Sequence, residues 1–420
     1  MHNWYEGVLQ HHFRIRWGFN IKVKDQDSEN TNKDKSDSDN IPDENSTLTI
    51  TKKENLQKLL LTVIVPPGIA AVPKGVGTAS NGKLKASEWH SLFAKHLPLV
   101  ALEAFGNVWS AGNRDRKISL LNNLCSLVEC THFVECKSIT EETCAKFEIN
   151  YALYCRTSET LFEGISIQPN HHYALHIGQL SRLLGPLISL SKFGGERLNG
   201  LLQSMPTNNL IDSMTSSKKK RFSKLSMVAP IQEVNTHLDL AIYEVLLAHL
   251  KKAHSNLRDY RDMPHPLEAK ILTWNVQKIN TAKIKDKTRV STKKPHIGIW
   301  WDCDGQQSFG FVIDIIRIPD LDEGTMQVVI ERTDLVNLAY VANVKPEWVQ
   351  ILDQMKVAVG YVASACYNLI DASSIGGHCV YREISVGTMG NKHALVLWMA
   401  VEYSTNLDRD PMELLSMVVE

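Results

Sequence analysis

The chain has no excess of charge of either sign, few cysteines and no long hydrophobic run. Its 420 residues carry 46 Lys and Arg against 46 Asp and Glu, which argues against a histone-like polycation. The longest apolar stretch, residues 59–65, is much shorter than the roughly 20 residues of a membrane-spanning helix. The first residues lack the basic and apolar regions of a signal peptide. Eight irregularly spaced cysteines are typical of a reducing compartment, so we expect an intracellular protein with no membrane partner.

The remaining composition is that of an ordinary globular protein, with 43% hydrophobic and 22% charged residues. It excludes a collagen, a disulfide-rich miniprotein and a fully disordered chain, and the length permits two or three domains. The balanced charge hides segregation, because residues 25–45 contain eight acids whereas residues 270–294 contain eight basic residues and one acid. The acidic stretch predicts a disordered linker. The basic stretch suits a phosphate-binding surface or a solvated linker equally well.

Apolar residues recur with helical spacing through the first half of the chain and with strand spacing towards the end. The pattern predicts a helix at about 1–16, stopped near Gly18, and further helices at 86–105 with a kink at Pro98, 115–128, 171–184, 195–202 and 238–250. A capping-box pattern at 138–141 predicts a further helix whose core face includes Cys144, Phe147, Tyr151 and Tyr154. Short strands are predicted at 297–301, 309–318, 326–332, 340–344 and 395–402, with a helix at 348–357.

These elements predict a mainly α protein with a β-rich C-terminal module, an α+β fold class. The expected units are a partial core segment at 1–24, a disordered acidic linker at 25–50, a helical region at 51–260, a basic linker at 261–294 and a small β-rich module at 295–420.

Several local patterns that suggest chemistry have simpler explanations. Gly77, Gly82 and Lys83 match most of a phosphate-binding loop, but Leu84 stands where a hydroxyl is needed for magnesium. His172 and His176 have a spacing used by two-histidine metal sites, yet Tyr173 occupies the position of the metalloprotease glutamate. A plain surface loop is the favoured interpretation of the first pattern, and packing and hydrogen bonding within a helical layer that of the second; no metal site is predicted.

Four cysteines and one histidine also cluster between residues 125 and 144. The cluster has no C-x-x-C pair, which favours buried structural thiols over a zinc site. Its members are Cys125, Cys130, His132, Cys136 and Cys144.

Four blocks of sequence together resemble one family, the fungal CACTA-type (En/Spm-like) transposases. The family's characteristic residues at these blocks are His2, Asn3, Trp89, His172, His176, Arg197 and Asn199. The blocks are M-H-N-W-Y-E-G-V-L-Q-H-H at 1–12, G-K-L-K-A-S-E-W at 82–89, N-H-H-Y-A-L-H-I-G at 170–178 and F-G-G-E-R-L-N-G-L-L-Q at 193–203.

The resemblance implies an RNase-H-like catalytic core that cuts DNA with clustered acids and two metal ions, Mg or Mn in a complete family member. The helical part would correspond to the C-terminal half and insertion of such a core. The family pattern has an aspartate just before the position of Met1, so the resemblance implies a C-terminal fragment without the first catalytic aspartates. Glu196 is the candidate third acid. The fragment alone is expected to need no cofactor and to be catalytically inactive.

Two further interpretations stay open at this point. The chain could be a domesticated, non-enzymatic module that binds DNA or protein, or an inert and poorly folded pseudogene product. DNA is the expected partner, with Lys218, Lys219, Lys220 and Arg221 as the candidate phosphate-binding residues. The resemblance implies a nuclear location, and the sequence leaves the oligomeric state open.

Overall fold

The computed structural model describes residues 1–19, 48–78, 83–106, 114–190, 233–273, 275–279, 281–283, 289–291, 297–303, 305–318, 326–335, 346–362, 367–384 and 394–401. These residues form a mixed α+β structure. None of the helices in these ranges is both long and apolar enough to cross a membrane.

The helical half begins with two consecutive wide-turn segments, Asn3–Leu9 and His12–Arg16, which we call the N-terminal helix. It ends before Gly18, whose φ of 73° is accessible to glycine without steric cost, as the sequence predicted. The helices that follow are α1 (Ile50–Leu60), α2 (Ala86–Ser91), α3 (Leu97–Gly106), α4 (Arg114–Glu135), α5 (Glu141–Leu161), α6 (Pro169–Leu175) and α7 (Ile177–Leu184).

Two predicted helices are interrupted. A wide-turn segment, Leu92–His96, separates α2 from α3 immediately before Pro98, where the missing N–H would break the regular ladder. The predicted helix at 171–184 is divided into α6 and α7 at His176, whose ψ of −4° departs from helical geometry. A short 3₁₀ turn, Leu187–Leu190, follows α7.

The capping box of α5 lies two residues later than predicted. The cap is Thr140, whose hydroxyl accepts a hydrogen bond from the Thr143 backbone N–H at 3.2 Å, while the Thr143 hydroxyl accepts one from the Thr140 N–H at 2.8 Å. The predicted core face of α5 is confirmed, because Cys144, Phe147, Tyr151 and Tyr154 are all buried.

The β half is built on a curled antiparallel sheet of nine strands, in the order β1-β4-β8-β7-β12-β13-β10, with β9 paired to β8 and β11 to β9. Bulges at 312–314 and 375–377 interrupt the register and increase the local twist. The strands are β1 (Glu233–His237), β2 (Leu257–Asp259), β3 (Lys270–Leu272), β4 (Asn275–Ile279), β5 (Thr281–Lys283), β6 (Arg289–Ser291), β7 (Ile297–Cys303), β8 (Gln306–Arg317), β9 (Met326–Thr333), β10 (Ala358–Tyr361), β11 (Tyr367–Asp371), β12 (Ile375–Ile384) and β13 (Leu395–Ala400).

The remaining small elements complete this half. Strands β2 and β3 form a parallel pair and β5 and β6 an antiparallel pair. The helices are α8 (Leu240–Ala253) and α9 (Pro346–Gln354), with a 3₁₀ turn at Ala372–Ser374. Helix α8 packs its apolar residues, among them Tyr243 and Leu246, against residues of β4, β8 and β9.

The sheet starts earlier than the sequence predicted. Strand β1 lies at 233–237, inside the expected helical region, and strands β3 to β6 occupy parts of the expected basic linker. These strands are short and largely polar, so their pattern lacks the apolar alternation that marks the later strands. The acidic linker falls almost entirely outside the described residues, as do the predicted helix at 195–202 and the predicted strand at 340–344.

The helical and β halves share one core. Val380, Leu397 and Met399 of the sheet belong to the same buried cluster as the residues of α3, α4 and α5. Residue Ile64, after α1, forms two backbone hydrogen bonds with Tyr381 of β12, at 2.9 and 3.1 Å. The helices therefore pack directly on one face of the sheet rather than forming a separate unit.

Candidate functional site

The N-terminal helix contacts α6 through two asparagines that lie in the first and third family blocks. The side-chain amide of Asn3 donates to the backbone carbonyl of Asn170 at 3.0 Å, and the Asn170 amide donates to the Asn3 side-chain oxygen at 2.7 Å. A Cβ at Gly7 would lie 2.3 Å from the Asn170 amide nitrogen, so glycine is required for this approach. The first and third blocks are therefore joined, although they lie 167 residues apart.

The second block packs against the same helix. Lys83 forms an ion pair with Glu6 at 3.1 Å, and the ring of Trp89 lies edge-on to Phe13 with centroids 5.7 Å apart. Trp89 is buried, whereas His2 is largely exposed and pairs with Glu6 at 3.5 Å. Three of the four blocks thus form one contiguous layer.

Behind this layer lies a buried cluster of polar and aromatic groups. His12 Nδ1 is 3.1 Å from the Tyr154 hydroxyl, and Arg16 donates to the Tyr154 and Ser158 hydroxyls at 2.5 and 2.8 Å. The Arg16 guanidinium also lies 5.0 Å from the centre of the Tyr154 ring. Burial, together with the Arg16 charge, holds the pKa of His12 well below its usual range, so this imidazole is neutral at pH 7.

A second buried cluster surrounds Glu135, at the end of α4. Its carboxylate pairs with His90, lies 3.6 Å from Lys95 Nζ and is 3.1 Å from His132 Nδ1. Burial opposes ionisation of Glu135, but the charges of Lys95 and His90 and the two histidine hydrogen bonds outweigh it and hold its pKa well below the usual range. Burial lowers the pKa of His132. The carboxylate is therefore ionised and is already occupied by three basic side chains.

The pair of His172 and His176 lies at the protein surface, so the expectation that it packs within a helical layer is wrong. His172 and His176 are exposed, and their rings are perpendicular with centroids 5.2 Å apart. Within the part of the chain that the structure describes, no group of three or more His, Cys, Asp or Glu side chains is arranged to hold a metal ion. The pair has no third protein ligand among these residues.

The cysteines of the 125–144 cluster are free thiols, and three of the four are buried. Cys125 donates to the Ile351 carbonyl at 3.6 Å, which joins α4 to α9, and burial raises its pKa to about 12. These contacts agree with the structural interpretation of the cluster.

Several predicted site residues fall outside the described ranges. They are Glu196, Arg197, Asn199, Lys218, Lys219, Lys220 and Arg221. The sequence reasoning, in turn, did not single out Glu135, Lys95, His90 or Arg16. A signal for Glu135 existed in its spacing from His132, three residues earlier on the same helix, but its other partners come from residues 90–95.

Comparison of this chain with models of known protein families, with curated proteins and with solved structures finds no match.

Proposed function

We propose that this polypeptide is related to the fungal CACTA-type (En/Spm-like) transposases and does not cleave DNA by itself. The observation that supports the relationship is spatial. The first block contacts the third through the Asn3–Asn170 pair and the second through the Glu6–Lys83 ion pair, and Trp89 of the second block packs on Phe13, the residue directly after the first block. If the similarities were due to chance, blocks spread over about 170 residues would not be expected to contact one another in the folded protein.

The proposal assigns the helical half to the C-terminal half and insertion of an RNase-H-like core. This assignment rests on the order of the blocks and on their packing around the N-terminal helix. A nuclear location belongs to the same proposal.

The expected lack of activity rests on the number of carboxylates. Two divalent ions that hold the attacking and leaving oxygens need several clustered acids, and the resemblance transfers only Glu196 to this chain. Glu135 does not add to this number, because Lys95, His90 and His132 already surround its carboxylate.

A nicking assay tests the enzymatic part of the proposal. We expect the purified chain with Mg²⁺ or Mn²⁺ to convert supercoiled plasmid to the nicked form no faster than buffer containing the same metal. The matched control is the Glu196→Ala variant, which should behave identically. Metal-dependent nicking that disappears in this variant would show that the chain is an active nuclease.

The proposal also includes residual DNA binding by the basic run at 218–221. We expect binding that weakens steeply with salt, and a Lys219→Ala/Lys220→Ala variant whose slope of log K against log[salt] is smaller by about 2. The control is Lys251→Ala/Lys252→Ala, which removes two exposed lysines from the end of α8 and should leave the slope unchanged. Fluorescence anisotropy with a short duplex at several salt concentrations measures both slopes. Equal slopes for the two variants, or no binding at low salt, would contradict this part.

A further inference from the structure

The short helix α6 is attached to the rest of the protein through few buried side chains. His171 and Ala174 are its buried residues, whereas Tyr173 and Leu175 are exposed. Its polar contacts run to the N-terminal helix through Asn170 and to α5 through His171. Because so little apolar surface is buried, local opening of α6 costs much less free energy than unfolding of the core.

The hydrogen bond between His11 and His171 requires that at least one of the two rings is neutral. Nε2 of His171 lies 3.1 Å from Nδ1 of His11, and Nδ1 of His171 lies 3.2 Å from the Tyr151 hydroxyl. A neutral imidazole has one donor and one acceptor nitrogen. The hydrogen bond between the rings therefore forms when one of the two facing nitrogens carries a proton and the other does not. If both rings are protonated, two N–H donors and two positive charges face each other.

Among the groups around this pair, Arg16 adds positive charge, whereas the His12 imidazole and the tyrosine phenols are neutral at pH 7 and cannot neutralise it. The N-terminal helix contributes Arg16 and His12, and α5 contributes the phenols of Tyr151 and Tyr154. Among the described residues, no carboxylate contacts either ring of the pair. A charge gained on these rings therefore has no acidic partner, and its cost is relieved when the rings reach water.

We infer that the His11–His171 contact is an acid-sensitive switch, and that acidification from neutral pH to about pH 5 releases α6 from the N-terminal helix. The surface that this opening uncovers includes Asn3 and Gly7, at the junction of the first and third sequence blocks. The inference does not depend on the proposed relationship to transposases, because it rests on the described contacts alone.

The direction of the pH effect follows from the pKa values. Burial and the Arg16 charge lower the pKa of His11 to about 4 and that of His171 to about 3, whereas a solvated histidine has a pKa of about 6.5. Below pH 6.5 the open form therefore binds more protons than the closed form, and opening becomes more favourable as the pH falls towards 4. Between pH 7 and pH 5, protonation of each ring increases the opening equilibrium constant by about 20- to 25-fold, so the two rings together increase it by roughly 500-fold.

Hydrogen exchange measured by mass spectrometry tests this inference on the intact chain. After correction for the intrinsic pH dependence of exchange, we expect the opening constant of amides in α6 to increase by about two orders of magnitude or more between pH 7 and pH 5. The opening constant of amides in α8, which packs on strands β4, β8 and β9, should change much less between the two pH values. The His171→Gln variant keeps a side-chain amide but does not titrate, so its ratio between the two pH values should fall by about 20-fold.

The control is His172→Gln, which removes the neighbouring, exposed histidine of the same helix and should keep the full ratio. The ratio between pH values is the quantity compared, so a variant that opens more readily at both pH values still gives a clear answer. A wild-type ratio for α6 that equals the ratio for α8 would mean that the whole protein loosens in acid, and would overturn the inference. So would a His171→Gln ratio equal to that of the wild type.

Discussion

Replacing Arg382 with methionine should lower the free energy of unfolding by about 3 kcal/mol, because it removes the cation paired with a partly buried carboxylate at the junction of helices and sheet. Arg382 lies on β12 with 4% of its side chain exposed, and it pairs with Glu103 of α3, which is 20% exposed. It also donates from Nε to the Thr62 hydroxyl at 2.7 Å and from Nη1 to the Leu99 carbonyl at 3.3 Å. The substitution removes both of these donors next to the backbone bridge between Ile64 and Tyr381.

Urea denaturation of the two proteins measures this loss. The matched control is Lys278→Met, which removes the cation of the Lys278–Asp314 pair on the sheet, where the lysine side chain is 31% exposed. Surface pairs of this kind contribute less than about 1 kcal/mol. If the Arg382→Met and Lys278→Met variants lose the same stability, the ion pair does not hold the two halves together.

The helices that the sequence predicted well are those whose apolar residues repeat with the period of the helix. Cys144, Phe147, Tyr151 and Tyr154 define one face of α5, and all four are buried as predicted. Local signals also located the end of the N-terminal helix at Gly18. At the start of α5 the prediction was less accurate, because the capping-box pattern at 138–141 was chosen whereas the cap is Thr140.

The β half was predicted less well because its first strands depend on distant partners. Residues 233–237 pair with 275–279, and neither strand has a strong apolar alternation of its own. Their strand conformation is fixed by the pairing and by the apolar face of α8, which packs over Val276. The strand propensity of a local segment carries no information about such distant contacts.

The buried polar clusters could not be predicted for the same reason. Asn3 and Asn170 both lie in blocks identified by the family resemblance, but the sequence of neither block indicates that their amides form a hydrogen bond with each other. Glu135 meets His90 across 45 residues of sequence. Periodicity identifies which face of a helix is buried, whereas the partner of a buried charge depends on how several helices are arranged.

The charge balance around Glu135 gives the largest effect that we expect. The Glu135→Leu variant leaves the Lys95 ammonium, whose side chain is 9% exposed, beside His90 and His132 with no carboxylate. Breaking a buried ion pair in this way costs about 3–5 kcal/mol. Urea denaturation at pH 7.5 measures the loss, and Glu163→Leu, which changes an exposed glutamate after α5, should stay within about 0.5 kcal/mol of the wild type.

Two further measurements separate loss of the ion pair from loss of packing. The Lys95→Met/Glu135→Leu variant replaces both charges with apolar groups and should recover most of the lost stability. The second is the pH dependence. Because the folded-state pKa of Glu135 lies well below its usual range, its stabilising effect is complete above about pH 4.5 and is lost as the pH falls below that value. The stability difference between wild type and Glu135→Leu should therefore shrink in acid. A difference that stays constant with pH, together with a double variant as unstable as the single one, would show that Glu135 acts through its packing and not its charge.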